Sequence, residues 1–226
     1  MEIRFLGHAC FELTEGDTRV LIDPFLTGNP KAAASPDELE PTHILLTHGH
    51  GDHYGDVEAI AKRTGAPVVA IVEIANELSE AGVENVLDPN LGGTVKFDWG
   101  WVKLVPAWHT STTPKGQVNT PAGLLIGIGE RTVYHLGDTA LFSDMRLVAH
   151  RGNPIDVALM CIGGHYTMDR LDAVVAAEFV EAGTVIPCHY DTFPPIETDV
   201  QAFKSEVESQ TSSKVEVLEP GGTFSA

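Results

Sequence analysis

The sequence predicts an α/β fold in which two β-sheets pack face to face with helices on the outside. Three observations carry this expectation. Strand-like apolar runs come in pairs with turn residues between them, and helical stretches are interleaved with those pairs in both halves. No linker rich in Gly, Ser or Pro divides the 226 residues. The third is the hairpin-rich middle, which argues against the competing doubly wound parallel sheet. At 43% hydrophobic and 20% charged, the chain has ample apolar surface for a core. Its length suits one large domain or two small ones, and we read residues 1–226 as a single domain.

The elements follow in order. IRFLGHACFEL and TRVLIDP read as strands flanking a turn at Glu15, Gly16 and Asp17. HILLTH is an apolar run ending in the stretch THGHGDHYGD. DVEAIAKRT has helical spacing, with Asp56 as N-cap and Gly65 just past its end. APVVAIV reads as a strand and EIANELSEAG as a short helix closed by Gly82. TVKFDWGWVKLVPAWH predicts a hairpin turning near Asp98 to Gly100, and AGLLIGIGERTVYHLGDT another turning at Gly129, Glu130 and Arg131. SDMRLVAHRG is read as helical with a Ser143 cap. DVALMCIG reads as a buried strand, DRLDAVVAAEFVEAG as an amphipathic helix, TVIPCHY as a strand, DVQAFKSEVESQ as a helix and KVEVLEPGG as a closing strand.

Four apolar runs end in residues able to bind metal: HILLTH at His48, VKLVPAWH at His109, VYHLGD at Asp138 and VIPCHY at His189. Strand ends are rigid, so a site assembled there needs little further ordering. Between residues 47 and 56, three histidines and two aspartates crowd one Gly-rich loop. Gly49 and Gly51 remove side-chain obstruction and permit unusual backbone angles, so His48 and His50 can turn to one point. One metal rarely takes four ligands from so short a loop. Two neighbouring cations use them better, one on His48 and His50, the other on Asp52 and His53. Imidazole with carboxylate suits zinc, manganese or iron rather than calcium.

HGHGDH followed by a His, an Asp and a His at later strand ends resembles the metallo-β-lactamase superfamily. FLGHACFEL, LIDPFLTGNP and HLGDT more narrowly resemble metal-dependent hydrolases related to L-ascorbate-6-phosphate lactonases. The resemblance spans almost the whole chain. It implies a four-layer αββα sandwich, the metallo-β-lactamase fold, with a dinuclear site at one edge. His48, His50 and His109 would hold the first metal and Asp52, His53 and His189 the second, with Asp138 bridging both. Zinc is the first expectation for the two ions, with manganese or iron as alternatives. The narrower group implies an asparagine-like residue where GGHYTM puts His165, leaving His165 open as an extra ligand, a proton donor or a substrate contact.

Two divalent cations about 3.5–4 Å apart share a water and lower its pKa to about 7. The expected activity is therefore metal-dependent hydrolysis of a small molecule such as a lactone, an amide or a phosphoester, and the resemblance alone puts the lactone first. In it a hydroxide held by both metals attacks, and Asp52 orients the nucleophile and accepts its proton. The rivals are an iron-dependent oxidoreductase of the same fold and a non-catalytic metal-binding module. The oxygen reductases of this fold carry a Glu where His50 stands.

The remaining candidates have plainer readings beside the functional ones. His43 and His135 read as structural, and His150 as a cation complementing a helix end. His8 reads equally as a buried core histidine and as a contact to substrate or behind the metal ligands. Asp23 in LIDP is read as a turn-capping carboxylate in preference to one that orients a ligand histidine. Trp99, Trp101 and Trp108 read as packing residues. The aperiodic loop 110–123 follows His109 directly, and its Lys115 is either a contact for an anionic substrate group or an exposed lysine.

Composition sets the outer limits. Fourteen basic against 32 acidic side chains give a net charge of −18, a field that repels nucleic acid. No 18-residue apolar run predicts a membrane span, and the N-terminus lacks signal-peptide features, so a cytoplasmic protein starting at Met1 is expected. Cys10, Cys161 and Cys188 are expected as buried reduced thiols. The partner is expected to be a small-molecule substrate, and the resemblance allows a homo-oligomer.

Overall fold

Alternating apolar residues build a sheet from three antiparallel strands at the start of the chain: β1 (Glu2–Gly7), β2 (Cys10–Glu15) and β3 (Thr18–Ile22). β4 (His43–Leu45), β5 (Val68–Val69) and β6 (Val86–Leu87) extend it in parallel, and β14 (Thr223–Ser225) returns to pair with β1. A second sheet repeats the scheme. β7 (Thr94–Phe97), β8 (Gly100–Pro106), β9 (Ala122–Ile128) and β10 (Arg131–His135) run antiparallel. β11 (Val157–Cys161), β12 (Thr184–Cys188) and β13 (Lys214–Val215) then continue in parallel. The computed structural model describes residues 1–149 and 154–226, and among these each sheet has seven strands. His150 lies outside the described residues.

Parallel neighbours need a crossover, and helices supply it. α2 (Val57–Thr64) and α3 (Val72–Glu80) connect β4, β5 and β6. α4 (Met145–Ala149), α5 (Arg170–Val180) and α6 (Val200–Gln210) serve the second sheet. Strand period fixes which side chain faces which layer. Leu124, Ile126, Ile128, Val157 and Leu159 join the core shared with Ile3, Phe11, Leu13 and Ile22 of the first sheet. Their neighbours Leu125, Ala158 and Met160 face the opposite way, against Ala173, Ala177 and Phe203 of the helices. The result is the four-layer αββα arrangement.

Several boundaries differ from the sequence reading. IRFLGHACFEL is not one strand: the chain reverses at Gly7 and His8, with φ of 106° and 59°. Gly7 is required there, because a Cβ would lie 2.4 Å from the Lys31 carbonyl oxygen. The metal loop is not wholly irregular, since Gly51–Tyr54 forms a single helical turn, α1. Asp56 stands at the N-cap of α2 without capping it; its carboxylate accepts from the backbone N–H groups of Leu26 and Thr27. α4 begins at Met145, and the Ser143 hydroxyl bonds Asp144. APVVAIV and KVEVLEPGG each keep only two strand residues.

Candidate metal centre

His48, His109 and Asp138 each stand three residues beyond the end of β4, β8 and β10, and His189 directly follows β12. The candidate ligands therefore hang in short connections just past the strand ends, all at one edge of the sandwich. The loop before α1 brings His48 and His50 together, with Nε2 of His48 3.1 Å from Nδ1 of His50. α1 then carries Asp52 and His53.

Gly49 owes its place to space rather than to backbone freedom, since neither it nor Gly51 has a positive φ. A Cβ on Gly49 would lie 2.6 Å from Nδ2 of Asn119 and 2.8 Å from Cγ2 of Thr113. Its N–H donates to the buried Ser111 hydroxyl at 2.8 Å. The loop after His109 is thus clamped over the peptide joining two candidate ligands.

Three groups of ligand atoms converge, the atoms of each within 4.8 Å of one another: His48, His50 and His109; His8, Asp52, His53 and His189; and His48, His53 and Asp138. Asp138 lies between the first two groups. Its Oδ2 is 3.1 Å from Nε2 of His189, 3.6 Å from Nε2 of His109 and 3.9 Å from Nε2 of His48. Its Oδ1 is 3.4 Å from Nε2 of His53. His50, Asp52 and His109 are half-buried and form the open side; His48, His53, Asp138 and His189 are buried.

The donor set fits a cation. Nε2 of His53, Oδ1 of Asp138 and both ring nitrogens of His189 are buried without a hydrogen-bond partner. Each such atom costs about 1–3 kcal/mol unless something satisfies it. Burial pushes the pKa of His48, His50 and His109 down, so these imidazoles are neutral with lone pairs available, as ligands require. Burial would lift the Asp138 and Asp52 carboxyls, yet neighbouring histidines hold both below the usual range, and both are ionised. For His53 burial disfavours the cation, but the Asp138 and Asp23 carboxylates outweigh it and raise its pKa well above the ordinary value.

Residues behind the ligands fix their tautomers. Asp23, fully buried, accepts from the Thr47 N–H and hydroxyl at 2.8 and 2.6 Å and from Nδ1 of His53 at 2.8 Å. The Thr47 hydroxyl oxygen also lies 3.0 Å from Nδ1 of His48. With Nδ1–H of both rings so engaged, both Nε2 atoms face the cluster, that of His48 as an acceptor and that of His53 once its proton has left. This corrects the reading of Asp23 as a turn cap. Thr47 and Ser111 were not legible as site residues: a hydroxyl beside a histidine, or on a loop sixty residues away, carries no local signal.

The other candidates fall as follows. His8 joins the second cluster, 3.2 Å from Oδ2 of Asp52. His165 is exposed at φ 52°, with its ring edge-on to Tyr166, and is not in any of the three groups. Lys115 does not reach the cluster; it pairs with Glu58 of α2 at 2.7 Å. His43 accepts from Trp99 Nε1, and His135 is held between the Ala9 carbonyl and the Gly137 N–H, so both are structural. Trp108 is 68% exposed and stacks on Phe142, contrary to a packing role. The three cysteines are buried free thiols whose pKa burial pushes up, and none belongs to the three groups.

Known proteins share this architecture. Residues 2–189 match the family described as Beta-lactamase superfamily domain. A UPF0173 metal-dependent hydrolase of Methanopyrus kandleri is 48% identical over 229 residues, 99% of each chain. One of Thermus thermophilus is 49% identical over 204 residues, 90% of this chain and 89% of its own. Among solved structures, Igni18, a novel metallo hydrolase from Ignicoccus hospitalis, aligns with a TM-score of 0.90 at 35% identity, covering 100% of this chain and 98% of that one.

Proposed function

The chain belongs to the β-lactamase superfamily as a metal-dependent hydrolase, and from that premise we propose a dinuclear centre that hydrolyses a small molecule, a lactone before a phosphoester. His48, His50 and His109 would hold one cation and Asp52, His53 and His189 the other, with Asp138 shared between them. The observation that carries this reading is the set of buried, unpartnered donors around Asp138. Zinc is the expected metal, with manganese and iron as alternatives.

When bound, the cations supply water activation at neutral pH and polarisation of the substrate oxygen. The chain's own residues do the rest. Asp23 and Thr47 keep Nδ1–H of His53 and His48 occupied, so that each ring presents Nε2. Asp52, ionised and half-buried at the open side, orients the attacking water and receives its proton.

The side chains themselves offer little to an anionic substrate group, which only the metals would attract. Among the described residues no Lys or Arg side chain is ion-paired or hydrogen-bonded to any of the seven candidate ligands, and Lys115 is committed to Glu58. A net charge of −18 further disfavours polyanions.

Metal analysis of the purified protein is expected to give close to two ions per chain. Asp138→Ala is expected to lose metal and hydrolysis together, and full activity in that variant would remove the bridging role. In a panel of lactones, amides and phosphodiesters, metal-dependent turnover confined to phosphodiesters would overturn the choice of substrate.

A further inference from the structure

His8 sits in the tight turn between β1 and β2 and is 1% exposed. Its carbonyl accepts from the N–H of His189 at 2.7 Å, and the two rings lie 4.1 Å apart. Phe25 and Phe193 stand edge-on to it at 5.7 and 5.6 Å. Both ring nitrogens are engaged: Nδ1 lies 2.9 Å from the Thr192 hydroxyl oxygen and Nε2 3.2 Å from Oδ2 of Asp52. Thr192 is itself 6% exposed.

Two roles are open to an imidazole in this place: a further ligand of the second cation, or a donor that fixes Asp52. The contrast with its neighbours decides between them. In the same cluster Nε2 of His53 and both nitrogens of His189 lack partners, as atoms awaiting a cation do. His8 has no such atom, and its contact to Asp52 has hydrogen-bond geometry.

We propose that His8 is the positioning residue of Asp52: the Thr192 hydroxyl donates to Nδ1, which fixes the Nε2–H tautomer, and Nε2–H donates to Oδ2. Asp52 is then left with Oδ1 for the cation and the attacking water. The Thr192 hydroxyl has a second acceptor in the Tyr190 carbonyl, but at 3.4 Å against 2.9 Å to Nδ1 it is the longer contact. An ionised Asp52 can only accept, which puts the His8 proton on Nε2. The inference rests on the metal-centre reading above and adds to it the device that orients Asp52, the half-buried carboxylate at its open side. Neighbours behind ligands are worth about 10–100-fold in metal affinity or activity when removed.

Protein labelled with 15N-histidine, examined by long-range 1H–15N NMR with and without zinc, tests this. The expected result is a His8 ring protonated at Nε2 in both states. Thr192→Val is expected to release that tautomer and to weaken zinc retention against a chelator about 10-fold or more at unchanged stoichiometry, with Thr192→Ser restoring both. His8→Gln, which keeps a donor where Nε2–H stood, is expected to outperform His8→Ala. Zinc taken up with His8 Nε2 on the metal and Nδ1 protonated would overturn the inference alone. So would a Thr192→Val protein with unchanged tautomer and zinc retention. No zinc uptake at all would remove the metal-centre reading and this inference with it.

Discussion

Three residues at the site hold left-handed backbone without being glycine: His8, Asp23 and His189, with φ of 59°, 45° and 54°. Such conformations cost on the order of 1–3 kcal/mol each and persist where surroundings over-determine them. Asp23 is the clearest case, since one carboxylate serves Thr47 twice and His53 once. Asp23→Asn is expected to weaken zinc retention about 10–100-fold, measured by chelator competition; wild-type retention would refute the tautomer argument. Protons follow with definite signs. Buried His8, opposed also by His189, keeps its pKa near about 4 in the folded chain, whereas an unfolded imidazole titrates near about 6.5. Metal-free protein should therefore lose stability as pH falls from 6.5 through 4, by on the order of 3 kcal/mol from this group. Urea midpoints across that range test it, and a flat profile would refute it. His53 behaves oppositely: its raised pKa contributes stability present below the ordinary histidine value and lost as pH rises through the raised one. A cation must displace that proton, so zinc affinity should climb with pH. Calorimetry in buffers of differing ionisation enthalpy reads the proton released.

At the scale of elements, the loop after His109 does more than connect β8 to β9. Ser111, Thr113 and Asn119 close over Gly49, and Thr113 donates to Oε2 of Glu77 on α3 at 2.6 Å. Oε1 of that carboxylate is already unpartnered. Thr113→Val is accordingly expected to cost about 1–3 kcal/mol, while Lys115→Ala, which removes only a surface pair, should cost about 0–1 kcal/mol; equal losses in denaturant melts would contradict the clamp. Here the limits of the sequence are visible. His48, His109, Asp138 and His189 were legible because apolar runs point at them. The clamp was not, because it depends on contacts between segments some sixty residues apart. The break at Gly7 and His8 was hidden for a different reason, as IRFLG and ACFEL alternate like one strand. Two-residue strands such as Val86–Leu87 are too short to show any period, and only their ladder partners define them.

Over the whole molecule, the fold class was readable from strand pairing and interleaved helices, and the two-faced alternation of β9 and β11 shows why it held. What composition could not reveal is that the candidate ligands are divided between the sheets. His8, His48, His50, Asp52 and His53 hang from the first; His109, Asp138 and His189 hang from the second. That division has a consequence in time. Neither cluster has its full complement until residues 109 and 189 have been made and the sheets have docked. A complete metal centre is therefore expected only after docking, too late to guide the search for the fold. Zinc should slow unfolding, as any ligand confined to the native state does, and leave the rate of refolding unchanged.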